Sequence, residues 1–188
     1  MSGAKSALQP WVRLGLEKVY RTRVFDLLRQ RSRSPRTGKE HDFFVLEACD
    51  WVNIVPLTAG GDVVLIRQYR HGVEDFTLEI PGGMVDEGES PRAAAGREML
   101  EETGYGSEDV VPLGSIHPNP AIQGNRCHTF LARGSEQRTT PQFEGTEETE
   151  VVLEPLTRIP HLIRTGKISH ALVVVAFHWL GLREEASP

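Results

Sequence analysis

Three glutamates, Glu98, Glu101 and Glu102, stand within the stretch GREMLEETGY (96–105). Carboxylates crowded together repel, so a sequence that gathers them where they are locally unfavourable implies a divalent cation to neutralise them. Hard oxygen ligands select Mg²⁺ or Mn²⁺ over zinc. An acidic run is more commonly plain solvated surface. Here the neighbours decide otherwise. A Gly82-Gly83 turn and Glu89 precede the run, and Arg97 stands inside it, able to pair with a carboxylate and fix its orientation as metal sites require.

These side chains need an element that turns them the same way. Ser90-Pro91 is a helix start, with serine as N-cap and proline at the first helical position, where its missing N–H does no harm. Ala93, Ala94 and Ala95 favour helix, and Gly104 is a natural stop. The spacing predicts one helix over 91–103. Glu98 and Glu102 are then one turn apart and Glu101 three residues from Glu98, so the three share a face. Glu101 and Glu102 also sit at the C-terminal end, where the helix macrodipole disfavours anions.

The wider stretch GMVDEGESPRAAAGREMLEETGY (83–105) carries Gly83, Glu89, Arg97, Glu98, Glu101, Glu102 and Gly104 in the pattern GX5EX7REUXEEXGU. On these residues the chain resembles the Nudix hydrolases, which cleave nucleoside diphosphates linked to another moiety; Tyr105 stands where the pattern usually has an aliphatic residue. The resemblance implies an α/β fold of the Nudix type: an α/β/α sandwich with a mixed β-sheet, in which this box forms a loop, a helix and a following loop. It extends over residues 50 to 181 and leaves the first 50 less constrained.

The segment VLIRQYRHGVEDFTLEIPGGMVDEGE (64–89) is similar to the ADP-ribose pyrophosphatase and nucleotide-sugar branch of that family. A proline sixteen residues beyond the box glycine is associated there with ADP-sugar hydrolysis, and Pro120 stands at that distance from Gly104. Where ADP-ribose enzymes often carry Ser-Pro-Gly, this chain has HPNPAIQG, which leaves a broader range of nucleoside diphosphate sugars open.

The resemblance implies cleavage of the pyrophosphate bond to a nucleoside monophosphate and a sugar phosphate. Glu98 and Glu102 are the principal metal ligands expected, with Glu101 assisting and the Gly82 carbonyl completing the site. A glutamate on the acidic loop QFEGTEETE (142–150) is the expected general base, with Glu147 first, Glu148 second and Glu144 third. Arg67 and Glu79, on neighbouring strand segments, contact substrate or else belong to structural ion pairs. Phe44 and Trp51 are candidates for a base clamp, although aromatics at strand positions are more often core residues. The resemblance also implies a homodimer whose N-terminal strands help to build the partner's site. Two rivals remain: a hydrolase of capped or 5′-triphosphate RNA or of dinucleoside polyphosphates, and a nucleotide-sugar-binding module without turnover.

The 188 residues suit one domain with an N-terminal extension, divided here into a strand-rich, dimerising segment (1–50), the hydrolase domain (51–182) and a flexible tail (183–188). A net charge of −5 argues against a nucleic-acid-binding surface. Cys49 and Cys127 are too few for a disulfide framework and read as buried thiols of a reducing compartment. With no apolar run fit for a signal peptide or a membrane span, a cytoplasmic enzyme is expected.

Along the chain, residues 1–18 hold a short amphipathic segment with Trp11, Val12, Leu14 and Leu16 as its apolar positions. Tyr20 to Arg33 is strand-like, and the basic RQRSRSPRTGK run reads as an exposed loop. Strands are expected at 41–48, 51–57, 63–70, 111–117, 126–132 and 151–156, with a hairpin turn at Gly60-Gly61-Asp62. HLIRTGKISHALVVVAFHWL gives one or two helices broken at Gly166. By periodicity ALVVVAF is equally a buried strand, and the resemblance makes it a helix.

Overall fold

The computed structural model of the protein describes residues 8–142 and 148–185. Its elements run β1 (Val12–Arg21), β2 (Asp26–Arg33), β3 (Glu40–Glu47), β4 (Trp51–Leu57), β5 (Asp62–Arg70), β6 (Asp75–Glu79), β7 (Gly82–Met84), α1 (Pro91–Thr103), β8 (Tyr105–Gly106), β9 (Asp109–Ile116), β10 (Cys127–Arg133), β11 (Glu136–Gln137), β12 (Thr149–Pro155), α2 (Ile159–Arg164) and α3 (Ala171–Glu185). They fall into two units. One runs to Cys49 and takes in Asn119–Asn125, and the other comprises Asp50–Pro118 and resumes at Arg126.

The first unit is an antiparallel sheet in the order β1-β2-β3. The amphipathic segment near the N-terminus is part of β1: Val12, Leu14 and Leu16 recur every second residue, the period of a strand. The single strand expected from Tyr20 to Arg33 is two, because Thr22 turns the chain, its hydroxyl bonding Phe25 O and accepting the Phe25 N–H. One face of this sheet carries charge in cross-strand pairs: Arg29 with Glu17, Arg31 with Asp42 at 3.0 Å, and Arg33 with Glu40 at 3.0 Å. On the other face Trp11 meets His41 and Phe43 edge-on, with centroids 5.7 and 5.3 Å away.

The second unit holds a mixed sheet in the order β12-β5-β4-β10-β9, with β6 on β5 and β7 on β4. Only β4 and β10 are parallel; the other pairs are antiparallel. Alternation along β4 sorts its side chains between two layers. Val52 and Ile54 join Ala94, Ala95 and Met99 of α1 in one core. Val55 joins Leu65, Leu131, Ile159 and Leu162 of α2, and Val173, Ala176, Phe177 and Leu180 of α3 in the other. Helices on both faces of a mixed sheet make the α/β/α sandwich.

ALVVVAF lies in α3. Its apolar run hides the period, and only burial reveals it: Val173, Ala176, Phe177 and Leu180 enter the core as one stripe at helical spacing. The tail expected from Arg183 does not begin there. α3 runs to Glu185, and Arg183 Nη1 donates to Pro112 O at 3.0 Å, which ties that turn to the sheet. Cys127 is buried as expected, and burial above all pushes its thiol up to about 12. Cys49 is exposed, against expectation, because it ends the first unit just beyond β3.

Candidate active site on the box helix

α1 begins and ends where its sequence signals lie. Ser90 Oγ accepts the Ala93 N–H at 3.2 Å, and Gly104 takes the left-handed conformation, φ 73°. The alanine face is buried on β4 and β10, which turns the glutamates of the last turns toward β7.

Two of those carboxylates reach one dipeptide. Glu102, 8% exposed, accepts the Gly82 N–H at 2.9 Å. Glu98 lies against the Cα of Gly83, where a Cβ would stand 2.3 Å from its Oε1. A Cβ on Gly82 would be 2.3 Å from Val52 O, so β7 packs flat on β4 only with glycine there.

Arg97 is the hub beside them. Its Nε and Nη2 bond both oxygens of Glu89 at 3.2 and 3.1 Å, its Nη1 bonds Glu98 at 3.0 Å and Glu101 at 3.1 Å, and its Nη2 also reaches Met84 O at 3.1 Å. The Glu89 bonds foremost, then the Glu98 charge, raise Arg97 above its ordinary value against the cost of burial. The same bonds hold the Glu89 carboxyl below the usual range. One guanidinium therefore bonds three carboxylates at once and sets their orientation. Among the described residues no three of His, Cys, Asp and Glu are drawn into a ready-made metal cage. The carboxylates are shared out among Arg97 and the Gly82 N–H.

The other expected site residues are dispersed. Glu79, 3% exposed, is bonded by Arg70 through both oxygens at 2.9 and 2.8 Å and by Thr77 Oγ1 at 2.6 Å. Burial alone would push its carboxyl up; the Arg70 and Thr77 bonds outweigh it and hold the group below its ordinary value. Of its two readings, the ion pair is the one found. Its partner Arg70 was not singled out by sequence, although it belongs to the same RQYR. Arg67 lies on the opposite face of β5, its Nη1 3.2 Å from Glu150 and its guanidinium 4.5 Å above the Phe76 ring. Trp51 is half-buried on β4, in register with Met84 and Cys127. Phe44 and Pro120 are exposed and belong to the first unit, Phe44 beside Arg29. Glu148 is exposed just before β12, and Glu144 and Glu147 lie outside the described residues.

Comparison with known proteins follows the same lines. The NUDIX domain model matches residues 47–174. The ADP-ribose pyrophosphatase of Bacillus subtilis (strain 168) is 27% identical over 89% of this chain and 91% of its own length. The methanol dehydrogenase activator of Bacillus methanolicus is 30% identical over 71% of this chain and 72% of its own. A crystal structure of an ADP compounds hydrolase superposes with a TM-score of 0.82 at 25% identity, covering 97% of this chain and 99% of that one. With the box on its helix, the sandwich around it and a family model spanning most of the sequence, the chain belongs to the Nudix family.

Proposed function

We propose that the protein hydrolyses the pyrophosphate bond of nucleoside diphosphate sugars, ADP-ribose and its relatives, to a nucleoside monophosphate and a sugar phosphate, with Mg²⁺ or Mn²⁺. The observation that carries this is the convergence of Glu98 and Glu102 on the Gly82-Gly83 strand, with Arg97 orienting Glu89, Glu98 and Glu101 beside them. The likeness to an ADP-ribose pyrophosphatase and to an ADP compounds hydrolase supports the substrate class.

The donor set fits a hard cation. It is all oxygen, it includes a largely buried carboxylate, and Gly83 leaves the space that Glu98 needs. Glu98 and Glu102 would be the main ligands, with Glu101 and the Gly82 carbonyl completing the set. When bound, the ion supplies charge that offsets the phosphate oxygens and makes a water more acidic. The chain's own groups do the rest. Arg97 keeps the carboxylates turned toward β7. A glutamate of the 144–148 segment, Glu147 first and Glu148 or Glu144 after it, takes the proton of the attacking water. The new bond joins the water oxygen to phosphorus, the P–O–P bridge breaks, and the bridging oxygen leaves with the other half of the substrate.

A homodimer through the first unit is part of the same proposal. Trp11, Leu16 and Phe43 of that unit are 47, 49 and 41% exposed, a large apolar surface for a free monomer. The two free thiols support a reducing, cytoplasmic setting. No helix among the described residues is long and apolar enough to cross a membrane.

The test is phosphate release from purified protein with Mg²⁺ or Mn²⁺ and a coupled phosphatase, on ADP-ribose, ADP-glucose, GDP-mannose, UDP-glucose, a dinucleoside polyphosphate and a 5′-triphosphate RNA. Turnover of one or more sugar nucleotides is expected. Turnover of the RNA end or the dinucleoside polyphosphate alone would replace the proposed substrate class, and binding of a sugar nucleotide without turnover would make the protein a binding module.

A further inference from the structure

The turn that joins β2 to β3 is held by bonds among its own residues. The Ser34 N–H donates to Lys39 O and the Gly38 N–H to Ser34 O, each at 2.9 Å. Ser34 Oγ accepts the Thr37 N–H at 3.3 Å, and Thr37 Oγ1 accepts the Lys39 N–H at 3.4 Å. Within the same unit this turn borders a pocket of about 590 Å³, whose lining includes Trp11, Ser34, Pro35, Arg36, Lys39 and His41. Small-molecule sites are of that size.

Its chemistry is that of an anion site. Arg36 and Lys39 have no ion-pair partner among the described residues, and no aspartate or glutamate lines the cavity. Ser34 is 6% exposed, and its hydroxyl proton meets no acceptor among the described residues. Register keeps the nearby acids away: alternation along β3 turns Glu40 and Asp42 toward Arg33 and Arg31, on the face opposite His41. Up to Cys49 the chain carries ten Lys and Arg against five Asp and Glu, in a protein of net charge −5, so the field around the turn favours negative ligands. The lining also offers apolar surface in Pro35 and in the Trp11 and His41 rings, which meet edge-on at 5.7 Å.

We infer that this pocket binds an organic phosphate monoester, with its phosphate on Arg36, Lys39 and the Ser34 hydroxyl and its organic part against Trp11 and His41. Two cations match the charge of a monoester, and the hydroxyl supplies a donor to one of its acceptor oxygens. Inorganic phosphate would leave most of the cavity unfilled, and a polyanion would exceed the two cations. None of these residues belongs to the unit that carries the box helix. Leu16 and Phe43, part of the apolar surface offered to a second copy, both stand level with Gln30, well short of the turn, so a dimer centred on them need not cover it.

The experiment titrates the full-length protein, in excess EDTA so that nothing binds through metal at the box, with AMP, adenosine and inorganic phosphate, read by calorimetry. AMP should bind, and adenosine and inorganic phosphate should each bind about tenfold more weakly or worse. In the double variant Arg36→Gln, Lys39→Gln the AMP affinity should fall about tenfold or more, because both charge-assisted contacts are lost. Its thermal midpoint should stay near that of the parent, since both side chains are exposed. Adenosine or inorganic phosphate binding as tightly as AMP, a double variant within about twofold of the parent for AMP, or no AMP binding at millimolar concentration would each overturn the assignment. A double variant that loses Mg²⁺-dependent turnover of ADP-ribose along with AMP affinity would place the binding at the hydrolytic site and overturn it too. The titration requires no turnover, so its outcome stands whether or not the protein cleaves sugar nucleotides.

Discussion

Gly83→Ala separates ligand geometry from folding. The added Cβ would stand 2.3 Å from Glu98 Oε1, 2.5 Å from its Cδ and 2.8 Å from its Oε2, where ordinary contact begins at 3.4 Å. The carboxylate must therefore retreat by about 1 Å, a shift of the size that costs about a hundredfold in rate when it misplaces a catalytic group. Retreat also loosens the 3.0 Å bond to Arg97 Nη1. Because the obstructing atoms are the end of a flexible side chain, the fold should absorb the change, with stability within about 1 kcal/mol of the parent. Gly82→Ala is the control, because its Cβ would meet Val52 O at 2.3 Å and Asn53 Cα at 2.9 Å, and backbone cannot step aside. That variant should lose about 3 kcal/mol by separating β7 from β4. The assays are Mg²⁺-dependent turnover of ADP-ribose, urea unfolding and circular dichroism on both variants. A Gly83→Ala protein with kcat within about twofold of the parent would refute the placing of Glu98 at the metal.

Three further outcomes are expected. Glu98→Gln should abolish Mg²⁺-dependent turnover with native circular dichroism retained, and near-normal activity would remove Glu98 from the ligands. Glu147→Gln should depress kcat far more than substrate affinity, and an unchanged kcat would move the base to Glu148 or Glu144. Arg70→Met should cost about 3 kcal/mol by leaving the Glu79 carboxylate buried without its partner, measured by urea unfolding at neutral pH. Because Glu79 sits below its ordinary 4.5 in the folded protein, the stability it adds is complete above that value and lost as pH falls through the lower native one. The Arg70→Met deficit should accordingly shrink in acid, and a deficit that grows there would contradict the pairing.

The box helix was legible to the residue because its signals are local: a serine cap, a proline at the first position, an alanine face and a glycine stop all act within a few residues. What sequence did not show is what depends on register and parity. Arg67 and Arg70 are three apart on β5, so they point to opposite faces. The register across the 71–74 turn, with Ile66 opposite Glu79 and Gln68 opposite Thr77, puts Glu79 on the Arg70 face. That turn length decides the partner, and nothing in RQYR alone reveals it. The end of α3 was missed for a similar reason: Arg183 is held by Pro112 O, a carbonyl distant in sequence, while REE alone looks like solvated chain.

The paired face of the first unit bears on how that basic stretch meets polyanions. Read linearly, RQRSRSPRTGK (29–39) is a run of five cations. Arg29, Arg31 and Arg33 are each compensated across the strand, and among the described residues Arg36 and Lys39 have no ion-pair partner. A single-stranded nucleic acid lying along this hairpin would exchange counterions with only those two, so log K should fall with log[salt] at a slope of about −1.4 rather than the about −3.5 that five free cations would give. The acidic neighbours of β1 and β3 thus turn an apparent polyanion-binding sequence into a surface with little capacity for counterion release.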